Sequence, residues 1–342
     1  MKQRKDSEGF DLLAFGALFL DQEFRFIDSI EWGGKGIVEL AFQEERRGKD
    51  LTLSPGGSAA NTAIQARRLG MRVKLLGKVG KDPYATLLLD GLRAEAVDID
   101  GVLFSTSQHT GTTVILSGRR ADSLESAMIT HNGANETLEA SEIVELLEPL
   151  RGDLNGATVF FGDFFALPRL QHELADLFGY VKKLGGTLAL DHGRFQRGAT
   201  PAKVLKCLES SMGWVDIYLP SERELIEFTG RPDIEAALKA VFDDYPLQVL
   251  AVKMGPKGCR IRTRGEDIEV PAFPVREGVT SLGAGDAFNA AFLDQLRKDP
   301  HDLLRAARVA NATGRIKIVS GRYPSRARVL AFLEKEEKRR RI

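Results

Sequence analysis

The chain has 342 residues, 48 Lys+Arg set against 48 Asp+Glu for a formal net charge of +0, and 43% hydrophobic residues. That is the composition of an ordinary water-soluble globular protein with room for a sizeable core, and it points away from nucleic acid as a partner. Only Cys207 and Cys259 could carry sulfur chemistry, and they lack the paired spacing of a zinc site; this argues against a disulfide scaffold and for a reducing cytoplasm. The first residues hold no apolar signal region, and nowhere do about 18 apolar residues follow one another, so a non-secreted, non-membrane, cytoplasmic protein is expected.

In chain order, a short apolar run at 12–20 is followed by a helix pattern at 60–69, a strand at 73–79 and a helix at 83–95. Helix 139–150, strand 158–161, helix 169–184 and strands 187–190 and 215–219 come next. Helices 221–229 and 233–243, strand 249–254 and helices 284–298 and 302–313 complete the series. Strands alternating with helices predict an α/β fold, a mostly parallel sheet with helices on both faces. Residues 22–55, around Trp32-Gly33-Gly34-Lys35-Gly36, and residues 110–131 break this rhythm by alternating apolar and polar positions. They predict antiparallel strands, read most economically as insertions that form a small β-sheet lid on one α/β domain spanning 10–330. The charged stretch 331–342 reads as a solvated C-terminal tail.

Familiar phosphate and hydrolase motifs are absent: no G-x-x-x-x-G-K-[ST], no G-x-G-x-x-G after a strand, no G-x-S-x-G and no H-E-x-x-H. The five histidines have no metal-ligand spacing and read as surface or capping residues. Two glycine clusters do carry chemistry. Gly283-Ala284-Gly285-Asp286 opens an apolar helix, where unpaired N–H groups can receive an anion and an aspartate can act as a base. Gly56-Gly57-Ser58-Ala59-Ala60-Asn61 opens another, and Asn61 offers both a donor and an acceptor to a small polar ligand.

In their order along the chain these pieces resemble the PfkB family of carbohydrate kinases, with its ribokinase-like three-layer α/β/α sandwich. Gly56 to Asn61 is similar to the family's N-terminal signature and Leu282 to Phe288 to its C-terminal one. Val79 to Ala85, Gly111-Thr112-Thr113, Asn132 to Asn135, Leu219 to Glu224 and Lys253 to Gly258 resemble intermediate segments. The resemblance implies ATP as phosphoryl donor, Mg²⁺, and the primary hydroxyl of a monosaccharide as acceptor. A nucleoside acceptor, or a non-catalytic nucleotide- or sugar-binding protein on the same fold, stays open.

The resemblance also implies roles. Asp286 is the expected general base, with Gly283, Ala284 and Gly285 presenting N–H groups to the transferring phosphoryl group. Asp21, Gly56, Gly57 and Asn61 are the expected substrate contacts, Glu224 the expected water-mediated holder of Mg²⁺, and Lys253, Gly255, Gly258 and Asn311 the expected nucleotide contacts. A homodimer through the β lid is implied too. Departures from the family pattern are Thr280 for an aspartate tied to monovalent-cation activation, Ser221 for an asparagine, Lys253 for a threonine, Ala85 for a glycine and Phe19 for an asparagine.

Overall fold

Period-two burial splits every central strand between two apolar layers, and this fixes the architecture of the computed structural model. The structure describes residues 9–32, 38–42, 51–120, 123–194, 200–276 and 278–340. In chain order the elements are β1 (Leu12–Gly16), β2 (Phe19–Trp32), β3 (Val38–Phe42), β4 (Leu51–Gly56), α1 (Ser58–Arg68), β5 (Val73–Val79), α2 (Pro83–Ala94) and β6 (Asp98–Phe104). Then come β7 (Gly111–Arg120), β8 (Ser123–His131), α3 (Ala140–Leu147), α4 (Arg151–Leu154), β9 (Thr158–Gly162), α5 (Leu174–Lys183), β10 (Thr187–Asp191) and α6 (Ala202–Met212). The last are β11 (Ile217–Tyr218), α7 (Glu222–Thr229), α8 (Ile234–Asp244), β12 (Val249–Lys253), β13 (Gly258–Arg262), β14 (Asp267–Pro271), α9 (Ala284–Lys298), α10 (Leu303–Ser320) and α11 (Arg326–Arg340).

Among the described residues the main sheet runs β14-β13-β12-β11-β10-β9-β1-β5-β6. It is parallel from β6 to β12, and β13 and β14 add an antiparallel edge. Leu12, Ala14, Phe160, Ala189 and Ala251 face the layer of α1, α2, α9 and α10; Leu13, Phe15, Val159, Phe161, Leu188, Leu190, Leu250 and Val252 face the layer of α3 and α5 to α8. The first face is rich in alanine on strand and helix alike, which lets α1 and α9 approach closely. The second is filled by aromatic rings, with Phe15 4.8 Å from Phe161 and Phe161 5.7 Å from Phe178. Each such ring, fully buried, contributes about 1.5–3 kcal/mol of hydrophobic stabilisation.

A second sheet, ordered β3-β2-β7-β8 with β4 also paired to β2, is built from residues at both positions that break the alternation. The predicted turn at Gly33–Gly36 lies outside the described residues. β1 and β2 form nearly one strand, so the apolar run expected at 12–20 serves two sheets. At the join Leu18 has no strand partner. Its N–H donates to Asn135 Oδ1 at 2.8 Å and its carbonyl accepts from Asn135 Nδ2 at 2.9 Å. From β1 the chain adds β5 and β6 on one side and β9 to β12 on the other, so the order reverses between β1 and β9. Ligands of open α/β sheets bind at such a reversal, beyond the carboxyl ends of the strands.

The structure differs from the sequence expectations in four places. β6, β13, β14 and α6 join the predicted elements, and α10 continues to Ser320 instead of ending at 313. Most of the charged stretch from 331 onward belongs to α11, which starts at Arg326 and rests Phe332 on Phe273 at 5.0 Å. His192 is buried, with Nδ1 2.6 Å from the Gly193 carbonyl and its ring among Phe165, Tyr218 and Phe228, where a surface or capping residue was expected. No helix among the described residues is long and apolar enough to cross a membrane.

Candidate active site

The reversal point is floored by glycine. A Cβ on Gly16, at the end of β1, would stand 2.6 Å from the Gly162 carbonyl at the end of β9, and one on Gly162 would stand 3.0 Å from Ser58. Bare backbone at both strand ends lets the first turn of α1 settle between them. The entrance to α1 is equally tight. Gly57 has φ 95°, and a Cβ there would lie 2.2 Å from the Ala17 carbonyl; a Cβ on Gly56 would lie 2.1 Å from the Asp21 carboxyl carbon. The second sheet thus delivers Asp21 from β2 and Gly56 from β4 as one packed unit, in register with Phe19 opposite Gly56.

α9 enters from the other side. Gly283 is left-handed, φ 68°, and a Cβ there would come within 2.2 Å of the Tyr323 hydroxyl. This residue therefore has to be glycine on both conformational and steric grounds. The Ala284 N–H leans on the Ser281 carbonyl at 3.3 Å, which leaves Gly285 and Asp286 to supply the unpaired amides of the first turn. Asp286 accepts from Ser58 Oγ at 2.8 Å through Oδ1 and from Asn61 Nδ2 at 3.0 Å through Oδ2. Residues some 225 positions apart are thereby tied together.

The carboxylates around this point repel one another. Burial and the charge of Asp191 push Asp286 up to about 6, against the Ser58 hydrogen bond, Lys253 and Asn61. Burial, with Glu23 and Asp286 adding to it, raises Asp21 to about 7, and only Thr113 opposes. Asp163, left-handed at φ 62° after β9, is held well above its ordinary value by burial and the charge of Asp286, although the Ser58 N–H reaches its Oδ2 at 2.5 Å. Perturbed acids gathered in one place mark a functional site.

Lys253 supplies the counter-charge. Its Nζ is 2.6 Å from Asp191 Oδ2 and 3.2 Å from Asn289 Oδ1, and a Cβ on Gly285 would stand 3.7 Å from that nitrogen. Burial opposes its charge, but Asp191 and Glu224 outweigh burial and hold the ammonium above its usual pKa. In turn, burial raises Asp191, and Lys253 more than reverses it. Lys253 is therefore a largely enclosed cation, its side chain 14% exposed, beside the first turn of α9.

Glu224 stands at the third position of α7 in a capping box: its Oε2 accepts from the Ser221 N–H at 2.7 Å, while Ser221 Oγ receives the Glu224 N–H at 3.3 Å. The S-x-x-E spacing of Ser221 and Glu224 is the sequence signal of that box. Among the described residues no three His, Cys, Asp or Glu side chains gather as a metal cage. A hydrated Mg²⁺ held by one carboxylate and substrate phosphates does not need one, so the donor set fits that mode and Glu224 Oε1 is the oxygen left for it.

The remaining expected nucleotide contacts form a separate group at the antiparallel edge. Asn311 Nδ2 donates to the Val270 and Pro271 carbonyls at 3.1 and 3.3 Å. Gly258, φ 110°, leaves no room for a Cβ, which would lie 2.1 Å from the Val270 carbonyl, whereas Gly255, φ 55°, has open space around it. A cleft of about 410 Å³ lies against this hairpin, lined among others by Glu222, Met254, Lys257, Cys259 and Pro271; neither Asp21 nor Asp286 lines it. Sequence reasoning passed over Ser58, Asp163 and Asn289 as site residues. Ser58 stood inside a quoted motif, whereas Asp163 and Asn289 carry no local signal.

Comparison with known proteins agrees with this fold. The model of the pfkB family carbohydrate kinases matches residues 32–322. Fructokinase-1 of Zea mays is 30% identical over 299 residues, covering 82% of this chain and 89% of the maize protein. Ribokinase of Bacillus subtilis is 28% identical over 295 residues, covering 84% and 90%. Among solved structures, Arabidopsis thaliana ribokinase complexed with ribose and ATP superposes with a TM-score of 0.75 at 23% identity, covering 95% of this chain and 99% of that one. Fructokinase from Vibrio cholerae O395, with fructose, ADP and calcium ion bound, gives 0.72 at 22%, covering 94% and 98%. The chain belongs to the pfkB family of carbohydrate kinases.

Proposed function

We propose that the protein transfers the γ-phosphoryl group of ATP to a primary hydroxyl of a monosaccharide, with Asp286 as the general base. The observation that carries this reading is the setting of Asp286: a half-buried carboxylate at the first turn of a helix, held by Ser58 and Asn61 and tuned to about 6. A base with that pKa is ionised at neutral pH yet still accepts a proton readily.

In this reading Asp21 anchors sugar hydroxyls, positioned by Gly56 and by Thr113. Asp286 takes the proton of the attacking hydroxyl as the bond to phosphorus forms. The first-turn amides of α9 face the charge that spreads over the phosphoryl oxygens, and Lys253, beside Gly285, adds positive potential at the same place. Glu224 would hold a hydrated Mg²⁺ through water, and the ion would supply charge neutralisation at the phosphates. Gly255, Gly258 and Asn311 border the base and ribose. The second sheet acts as a lid that excludes water competing for the phosphoryl group. Its exposed Leu51, Leu53, Met128 and Ile129 support a homodimer formed through the same sheet, which sedimentation would reveal as twice the chain mass. The free thiols of Cys207 and Cys259 suit a cytoplasmic enzyme.

A panel of monosaccharides and nucleosides, each with ATP and Mg²⁺ and read as ADP release, tests the activity. A hexose or pentose is expected to give turnover that Asp286→Asn lowers by about 10²–10⁴-fold. Turnover with nucleosides alone would move the acceptor class, and sugar turnover that Asp286→Asn leaves intact would remove Asp286 as base.

A further inference from the structure

Lys317, near the end of α10, is 5% exposed and enters no salt bridge among the described residues. Its Nζ donates to the Gly321 carbonyl at 3.3 Å and stands 4.9 Å from the centre of the Tyr323 ring. The hydroxyl of that tyrosine is the atom that a Cβ on Gly283 would meet at 2.2 Å, and the Lys317 Cε lies 3.3 Å from the same point. The ammonium-bearing chain is therefore packed directly against the left-handed residue that starts the anion-binding turn. The ionisable groups that face it are Glu23 and Arg25 from β2 and Asp286 from α9. Glu23 is already occupied: Arg25 Nε donates to it at 2.6 Å, Thr280 Oγ1 at 2.9 Å and Ser117 Oγ at 3.0 Å.

A buried ammonium is kept where its charge does something, because desolvation works against it. Here a carbonyl and an aromatic face stabilise it without neutralising it, so its field extends into the neighbouring turn. We propose that Lys317 is a resident cation of the Gly283–Asp286 turn, lending it the positive potential that stabilises phosphoryl charge in transfer without any free monovalent cation. The inference rests on the kinase reading above. Lys317 touches no reacting atom; it is a positioning residue that acts through the turn.

The test compares wild type, Lys317→Met, which keeps the packing and drops the charge, and Lys317→Ala, which also opens space, in tetramethylammonium buffer with and without added K⁺ or NH₄⁺. Wild type is expected to be indifferent to both ions. Lys317→Met is expected to lose roughly tenfold or more in kcat with little change in sugar KM, and Lys317→Ala to regain activity when NH₄⁺ or K⁺ is added. A pH profile separates charge from mere packing. Burial, only partly offset by Glu23, draws Lys317 down to about 8, so wild-type kcat should fall as pH rises through that value and the Met variant should lack the fall. Tyr323 is held well above its ordinary value by burial and the charge of Asp286, so it does not titrate there. A wild type that demands K⁺, a Met variant with wild-type kcat, or an alkaline limb that persists in that variant would each overturn the proposal. Calorimetric ATP affinity is read alongside, with a loss of about threefold or more expected in Lys317→Met. Unchanged affinity counts against the resident cation, whereas a wild type that binds ATP and phosphorylates no sugar counts against the kinase reading alone.

Discussion

Ser58→Ala removes one hydroxyl and little else. Ser58 is the first residue of α1, not its cap, and its backbone N–H to Asp163 survives the change. What is lost is the 2.8 Å donation to Asp286 Oδ1. A hydrogen bond to an ionised group is worth about 1.5–3 kcal/mol, and 1.36 kcal/mol corresponds to one pKa unit. With Asn61 and Lys253 still in place, the lower end of that range applies, and Asp286 should rise from about 6 by about one unit. At pH 6 the ionised fraction then falls from about one half to about one tenth, while at pH 8 it stays above about nine tenths. The expected kcat/KM ratio of wild type to variant is therefore about five at pH 6 and close to one at pH 8.

Stability follows the same sign. A carboxyl whose folded pKa is raised favours the native state at low pH, and that contribution is lost as pH climbs through the folded value. The variant should thus be less stable than wild type by about 1.4 kcal/mol at pH 8, and no less stable by this route at pH 3, where Asp286 is protonated in both. Initial-rate profiles of kcat/KM between about pH 5 and 9, with urea unfolding at about pH 8 and pH 3, check the two halves. A loss of activity equal at every pH would refute the reasoning, because Ser58 would then act otherwise than through the Asp286 proton.

Two further expectations concern parts of the site built for packing and charge. Lys253→Met should destabilise the fold by about 3–5 kcal/mol, since it leaves Asp191 ionised and buried without its cation; adding Asp191→Asn should recover much of the loss in urea unfolding, and failure to recover would mean that the pair is not what the lysine supports. Because Asp191 is held below its ordinary value, its contribution is present at neutral pH and is lost as pH falls through that lowered pKa, so the two proteins should converge in acid. Gly56→Ala puts a Cβ 2.1 Å from the Asp21 carboxyl carbon and must displace that side chain. Sugar KM should rise by about tenfold or more with ATP KM little changed, and an ATP effect of equal size would place Asp21 elsewhere in the reaction.

Signals confined to a few consecutive residues were legible in the sequence. Strong apolar runs marked β5, β9, β10 and β12, and glycine followed by an amphipathic pattern marked the starts of α1 and α9. β13 and β14 escaped because the edge strand β14 and its neighbour β13 carry charged residues at alternate positions, where Arg260, Arg262, Asp267 and Glu269 link up in ion pairs. β6 begins Asp98-Ile99-Asp100, with both acids exposed, and reads locally as a loop. α6 buries only Leu208, Ser211 and Met212, too narrow a stripe to stand out. In the site, Asp286 and Asn61 sit in motifs that announce themselves, whereas Asp163 and Lys317 gain meaning only from what the fold places against them. His192 was misjudged for the same reason: a ring amid Phe165, Tyr218 and Phe228 is invisible one residue at a time.

The clamp at Leu18 has a consequence for how the two sheets depend on each other. Where one strand passes between sheets, its peptide would ordinarily be left to water or to a neighbour that neither sheet supplies. Asn135 fills that place as a one-residue surrogate strand, returning both the donor and the acceptor that Leu18 lacks, and its Nδ2 also donates to the Asn132 carbonyl at 2.8 Å. The same amide therefore fastens the segment that follows β8 to the point where β1 becomes β2, three residues before Asp21. The far end of the second sheet is stitched to its root, and any swing of that sheet has to carry Asp21 with it.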